Sequence, residues 1–204
     1  MITIVDYGLG NIMAFANVYK RLNIEISIAR TAEEIEKATK IILPGVGAFD
    51  HAMERLNASG MRNALDDLVL TKGVPVIGIC VGMQILGNSS DEGREPGLGW
   101  INGKVRGFRS TSGTEHLPLP HMGWNDVQPL PDQKIFTGLE TGSRFYFLHS
   151  FYFECEDPRD ISARSEYGIH FPAAVTHGNI HGIQFHPEKS HHYGTRLLKN
   201  FADL

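Results

Sequence analysis

The stretch Ile77-Gly78-Ile79-Cys80-Val81-Gly82-Met83-Gln84 constrains the fold of this chain more than any other. An apolar, β-branched run ends in a cysteine with a glycine two residues away on either side, and helix-forming residues follow. A residue on a sharp strand-to-helix turn is pushed into sparsely allowed backbone space, and neighbours without a Cβ let chain and substrate approach it closely. The sulfur is then presented at the first turn of a helix, where unpaired N–H groups and the macrodipole favour thiolate over thiol. The octapeptide reads as a nucleophile elbow at the carboxyl end of a strand. On its own it also fits a small buried hydrophobe, the ordinary role of a lone cysteine.

The flanking pattern suits such a strand. Residues 2–6, 25–29, 41–43 and 74–79 are short β-branched runs separated by segments of helical period at 11–22 and 32–40. This alternation predicts an α/β fold, a parallel sheet with helices on both faces. Thr31 followed by Glu34 reads as a capping box opening the second helix. The second half is turn-rich. Its aromatic alternating runs at 145–154, 173–175 and 182–185 predict antiparallel or mixed additions to the sheet, and 193–201 reads as a closing amphipathic helix. Residues 106–119, rich in Ser, Gly and Thr, read as a surface loop. No repeat or linker divides the chain, so one domain over residues 1–204 is expected.

With 204 residues, 42% hydrophobic and 21% charged, the chain can bury a core without disulfide or metal. Its net charge of -4 argues against non-specific nucleic-acid binding and against a basic membrane-surface role. Cys80 and Cys155 stand far apart in no metal or disulfide spacing, which suits a reducing compartment. Met1 runs directly into Ile2-Thr3-Ile4-Val5, and no apolar run approaches a membrane span. A soluble, cytoplasmic protein is expected.

A thiol nucleophile needs a base, and the base an orienting carboxylate. Gln184-Phe185-His186-Pro187-Glu188-Lys189-Ser190 supplies both. His186 follows a predicted strand at the sheet edge where α/β enzymes place their sites, and Pro187 fixes the backbone so that Glu188 can turn onto the far imidazole nitrogen. The plain alternative is a histidine paired with a neighbouring acid on a solvated turn. Leu43-Pro44-Gly45-Val46-Gly47-Ala48-Phe49 is a second strand entering a glycine-rich turn; its N–H groups, with that of Val81, offer an oxyanion hole, or merely an ordinary βα turn.

The order Pro-Gly-Val-Gly, Gly-Ile-Cys-Val-Gly-Met-Gln, His-Pro-Glu resembles the class I, triad-type glutamine amidotransferases over essentially the whole chain. Within the class, Asp6–Asn11, Leu43–Phe49, Pro120-His121-Met122-Gly123-Trp124-Asn125, Tyr146-Phe147-Leu148-His149-Ser150 and His186–Ser190 resemble the glutaminase subunits that work with a (β/α)8-barrel cyclase/synthase subunit. The resemblance implies a flavodoxin-like three-layer domain that hydrolyses L-glutamine with no metal and no cofactor. Cys80 would attack the glutamine amide, His186 act as base and then acid, and Glu188 orient it. Gly47 and Val81 would hold the oxyanion, and Gln84, Glu92, Tyr146 and Ser150 would bind glutamine. Asn11, Trp124 and Lys189 would face the partner; Trp124 is equally at home in a core. Ammonia would pass through the barrel of a heterodimer to make imidazole glycerol phosphate and an aminoimidazole nucleotide in histidine biosynthesis.

Val81, Leu148, Phe151 and Ala14 depart from the pattern of that branch. A paralogous branch, which this chain resembles in Val-Gly-Met-Gln and Phe-Leu-His-Ser, supplies ammonia to an N-acetyl-sugar amidotransferase in surface-polysaccharide synthesis, and it stands as the alternative. A docking subunit with an unused triad and an unrelated cysteine hydrolase are the rivals from other classes.

Overall fold

In the computed structural model, which describes residues 1–139 and 142–204, the apolar runs of the first half become β1 (Ile2–Val5), α1 (Ile12–Arg21), β2 (Ile26–Ala29), α2 (Ala32–Ile35), β3 (Lys40–Gly45), α3 (Phe49–Ala58), α4 (Arg62–Asp66) and β4 (Val76–Cys80). After α5 (Val81–Gln84) the chain turns to strands: β5 (Ser89–Ser90), β6 (Gly103–Gly107), β7 (His121–Pro129), β8 (Ser143–His149), β9 (Phe151–Cys155), β10 (Ile161–Tyr167), β11 (Ile169–His177) and β12 (Ile180–Ile183). It ends in α6 (His191–Asp203).

Among the described residues the strands form a nine-stranded sheet, ordered β2-β1-β3-β4-β12-β11-β10-β7-β8, and a small sheet β5-β6-β9. Pairing is parallel from β2 through β12 and antiparallel from β12 to β8, so the expected parallel core with mixed additions is present. β12 lies beside β4 with Ile180 opposite Val76 and Ile183 opposite Ile79, although a hundred residues separate them in sequence. Both strands are buried along their whole length, which suits the continuous apolar run of β4; β12 carries the buried His181 between its isoleucines. On the helical layer, α1 buries Phe15, Val18 and Tyr19 and α6 buries Leu197, Leu198 and Phe201, each at helical spacing. The Tyr19 hydroxyl donates to the Leu198 carbonyl at 3.1 Å and ties the two together.

Three expectations are corrected. The helix expected over 32–40 ends after one turn. The Thr31 hydroxyl does accept the Glu34 N–H (3.3 Å), and the Glu34 carboxylate accepts the Arg30 N–H (2.6 Å). The Ala38 N–H then closes on the Ile35 carbonyl at 2.9 Å, a tight turn that delivers the chain into β3.

The run 145–154 is not one strand. It breaks at Ser150, so that β8 pairs with β7 in the large sheet while β9 pairs with β6 in the small one. Nor is 106–119 only a surface loop. It starts inside β6 and drives the fully buried Phe108 among His149, Tyr152, Tyr167 and Phe171, with ring centroids 4.9–5.7 Å away.

Candidate active site

β4 carries its apolar run directly into Cys80, which stands at φ 56°, ψ −113°. That conformation costs a non-glycine residue on the order of 1–3 kcal/mol and persists only where packing fixes it. The packing is backbone on backbone. A Cβ on Gly82 would run into the Leu43 carbonyl, one on Gly78 into the Gly82 carbonyl, and one on Gly45 into the Gly82 nitrogen. Only glycine lets β3, β4 and α5 press together here. The Tyr7 hydroxyl donates to the Pro44 carbonyl at 2.7 Å and holds the facing turn.

His186 leaves β12 at the same carboxyl edge. Its N–H donates to the Tyr146 carbonyl (2.8 Å), and its carbonyl accepts the Ser190 hydroxyl (2.6 Å), which in turn accepts the Tyr146 N–H (3.0 Å). A single 3₁₀ turn, Pro187–Lys189, then brings Glu188 Oε1 to 3.0 Å from His186 Nδ1. The two side chains are 6% and 3% exposed. Nδ1 being taken, Nε2 is left for Cys80, which lines the same cavity. Burial alone would lower the imidazole pKa, but the hydrogen bonds to Cys80 and Glu188 and the negative charges they carry outweigh it and hold the ring protonated well above its usual range. A protonated imidazole favours thiolate at the sulfur it faces.

A cavity of about 290 Å³ opens on Cys80 and His186. Gly47, Val81, Gln84, Glu92, Ser150 and Lys189 line it, so six of the predicted site residues converge on the triad. Gly47 has φ +88° with open space where a Cβ would stand. Val81 begins α5, and its N–H has no acceptor within the helix. Gln84 Nε2 donates to the Phe151 carbonyl (3.3 Å) and to Gln184 Oε1 (3.1 Å). Glu92 Oε2 accepts the Phe49 N–H at 2.8 Å, capping α3, whose own N-cap residue Ala48 has no side chain able to do so.

Tyr146, Asn11 and Trp124 stand apart from the cavity lining. The Tyr146 main chain braces His186, and its ring lies 5.6 Å from Lys189 Nζ and 6.4 Å, edge-on, from Trp124. Trp124 is 39% exposed and stacks on His191 at 5.3 Å, so it is a surface residue and not part of the core. Asn11 is the exposed N-cap residue of α1, without a side-chain cap bond. Ser190, Gln184 and His149 were not singled out by the sequence reading, though they lie within or beside its motifs. The fully buried Ser190 binds three main-chain groups of the His186 turn, and a serine four residues beyond the histidine was the available signal.

A strained thiol, a carboxylate-backed imidazole and two N–H groups of glycine-rich and helical turns around one cavity can carry acyl transfer from an amide through a thioester.

The model of the family described as "Glutamine amidotransferase class-I" matches residues 3–204. A protein of Bdellovibrio bacteriovorus named "Imidazole glycerol phosphate synthase subunit HisH" is 63% identical over 204 residues, covering all of both chains. One of the same name from Leptospira interrogans is 53% identical, again over the whole of both. Among solved structures, one titled "Crystal structure of glutamine amidotransferase" superposes with a TM-score of 0.77 at 20% identity, covering 99% of this chain and 97% of that one. It supports the fold alone, whereas the family match and the whole-length relatives are similarities of sequence. The chain belongs to the class I glutamine amidotransferases.

Proposed function

We propose that the chain is the glutaminase subunit of an imidazole glycerol phosphate synthase, working in histidine biosynthesis as one domain over residues 1–204 and in the cytoplasm. Among the described residues no helix is long and apolar enough to cross a membrane. Full-length identity to subunits of that name supports the pathway, and the chemistry rests on the closure of Cys80, His186 and Glu188 on one cavity.

In this reading Cys80 Sγ attacks the side-chain amide carbon of L-glutamine. The oxyanion is taken by the N–H groups of Gly47 and Val81. His186, held by Glu188, gives its proton to the departing ammonia, leaving a glutamyl thioester. The ring then takes a proton from water, which opens the thioester to glutamate and restores the thiol. Gln84, Glu92 and Ser150 lie where the substrate's α-amino and α-carboxylate ends must be held; Tyr146 acts one layer back, through His186. Free ammonia is mostly protonated in neutral water and then no longer nucleophilic, so a chain of this kind docks its cavity mouth on the (β/α)8-barrel cyclase/synthase subunit. Asn11, Trp124 and Lys189 are the proposed contacts.

Ammonia release from glutamine, measured with and without the cyclase subunit loaded with its nucleotide, tests the reading. Strong stimulation is expected. Absence of Cys80-dependent hydrolysis under all conditions would overturn the chemistry. A glutamyl thioester on Cys80 with no response to the cyclase would instead overturn the pathway and point to the sugar amidotransferase as acceptor.

A further inference from the structure

Gln184 is fully buried, and its two polar ends are committed. Oε1 accepts the Gln84 amide, so Nε2 must point the other way, and it lies 3.8 Å from Cys80 Sγ, within hydrogen-bond range for sulfur. The direction is not left to the two glutamines. The Phe151 carbonyl, which can only accept, takes the second Gln84 hydrogen and also His149 Nδ1 at 2.7 Å. His149 therefore carries its proton on Nδ1 and presents a bare Nε2 to His121 Nδ1 at 2.8 Å. His121 must then be protonated on Nδ1 too, and its bare Nε2 faces Asn125 Nδ2 at 3.2 Å. The Asn125 amide is itself fixed, donating to the Glu166 carbonyl (2.8 Å) while its Oδ1 accepts the Asp126 N–H (2.8 Å). Two arms meet at the Phe151 carbonyl, which accepts from both: it fixes Gln84, and through it Gln184, on one side, and His149 and His121 on the other.

We propose that Gln184 is a catalytic residue: its Nε2–H is a donor held on the Cys80 sulfur, and Gln84, itself oriented by the Phe151 carbonyl, is the positioning residue that prevents its amide from turning over. The inference rests on reading Cys80 as the nucleophile. A donor on the sulfur stabilises the charged form and lowers the pH at which it becomes reactive. An amide turned by half a revolution would instead aim its carbonyl oxygen there and repel that charge. The titratable groups facing the sulfur are His186, backed by Glu188, and His149; Tyr7 lies under the facing turn, and Glu92 and Lys189 line the cavity. None of these is altered by replacing Gln184.

The test is the pH profile of Cys80 alkylation by iodoacetamide, read at the level of the Cys80 peptide. Gln184→Glu keeps the shape but replaces the donor by an acceptor, and Gln184→Met keeps the length without a donor. Both are expected to raise the midpoint, by about 1 pH unit or more in Gln184→Glu. An unchanged midpoint in either variant that retains a cooperative melt overturns the proposal. A purely structural role would lower the melting temperature without moving the midpoint. Thioester formation with glutamine in the unmutated chain separately checks that Cys80 is the nucleophile.

Discussion

Cys80 and His186 illustrate how a side chain acquires reactivity from backbone placement. The cysteine is presented by φ 56° at the head of a four-residue helix, and the histidine by a 3₁₀ turn that buries Glu188 against its ring. Among the described residues Glu188 Oε2 finds no hydrogen-bond partner, and the orienting effect of the carboxylate falls on His186 Nδ1. Glu188→Gln is expected to lower kcat for glutamine hydrolysis by about 100-fold or more with KM little changed, because the ring loses both its tautomer and its charge support. Steady-state kinetics checks this, and an unchanged kcat refutes the orienting role. The same substitution removes one of the causes that raise the His186 pKa. The stability contributed by the protonated ring is complete below about pH 6.5, its ordinary value, and is lost as pH rises through the raised one. In the variant that loss is smaller and is complete at lower pH, as melting curves between pH 7 and 10 measure.

At the scale of elements, the site depends on three glycines that let β3, β4 and α5 share one space. Gly82→Ala places a methyl on the Leu43 carbonyl and is expected to destabilise the chain by roughly 2–4 kcal/mol, through backbone displacement and not through helix propensity, which favours alanine. Urea denaturation measures it. The glycine box and the flanking apolar runs were legible in the sequence because steric necessity leaves few residue types at such a turn. The strand break at Ser150 was not. An aromatic alternating run carries the same period whether it pairs in one sheet or is handed from one to another, and only long-range pairing to β6 and β7 decides. Phe108 was hidden in the same way, as one anchor in a segment whose average composition is that of a loop. The short α2 shows local signals overruled: its capping pair is in place, but β3 begins too soon for the helix to continue.

Across the whole molecule, three buried histidines are kept neutral by burial. His121 and His181 are lowered to about 4, and His149, pressed further by His121 and His186, to about 3. The unfolded chain takes up these protons near pH 6.5 and the folded chain only near pH 3–4. The stability these three contribute is therefore full above pH 6.5 and falls as pH drops, by about 1.4 kcal/mol per histidine per pH unit between the two values. A melting temperature that stays flat from pH 6.5 to 4.5 would contradict this. Trp124 is the exposed aromatic side chain among the proposed partner contacts. Trp124→Ala is expected to weaken cyclase binding about tenfold or more at nearly constant melting temperature, as titration calorimetry and thermal melts together report.

The seam between β4 and β12 has a consequence for synthesis. The elbow belongs to the first eighty residues, but its neighbour in the sheet and its base arrive only after residue 180. A chain still on the ribosome, or one cut short, carries its thiol on a strand with an open apolar edge and without the His186 imidazole. Reactivity toward glutamine thus becomes a certificate of completion, issued only when the last strand has zipped into the middle of the sheet.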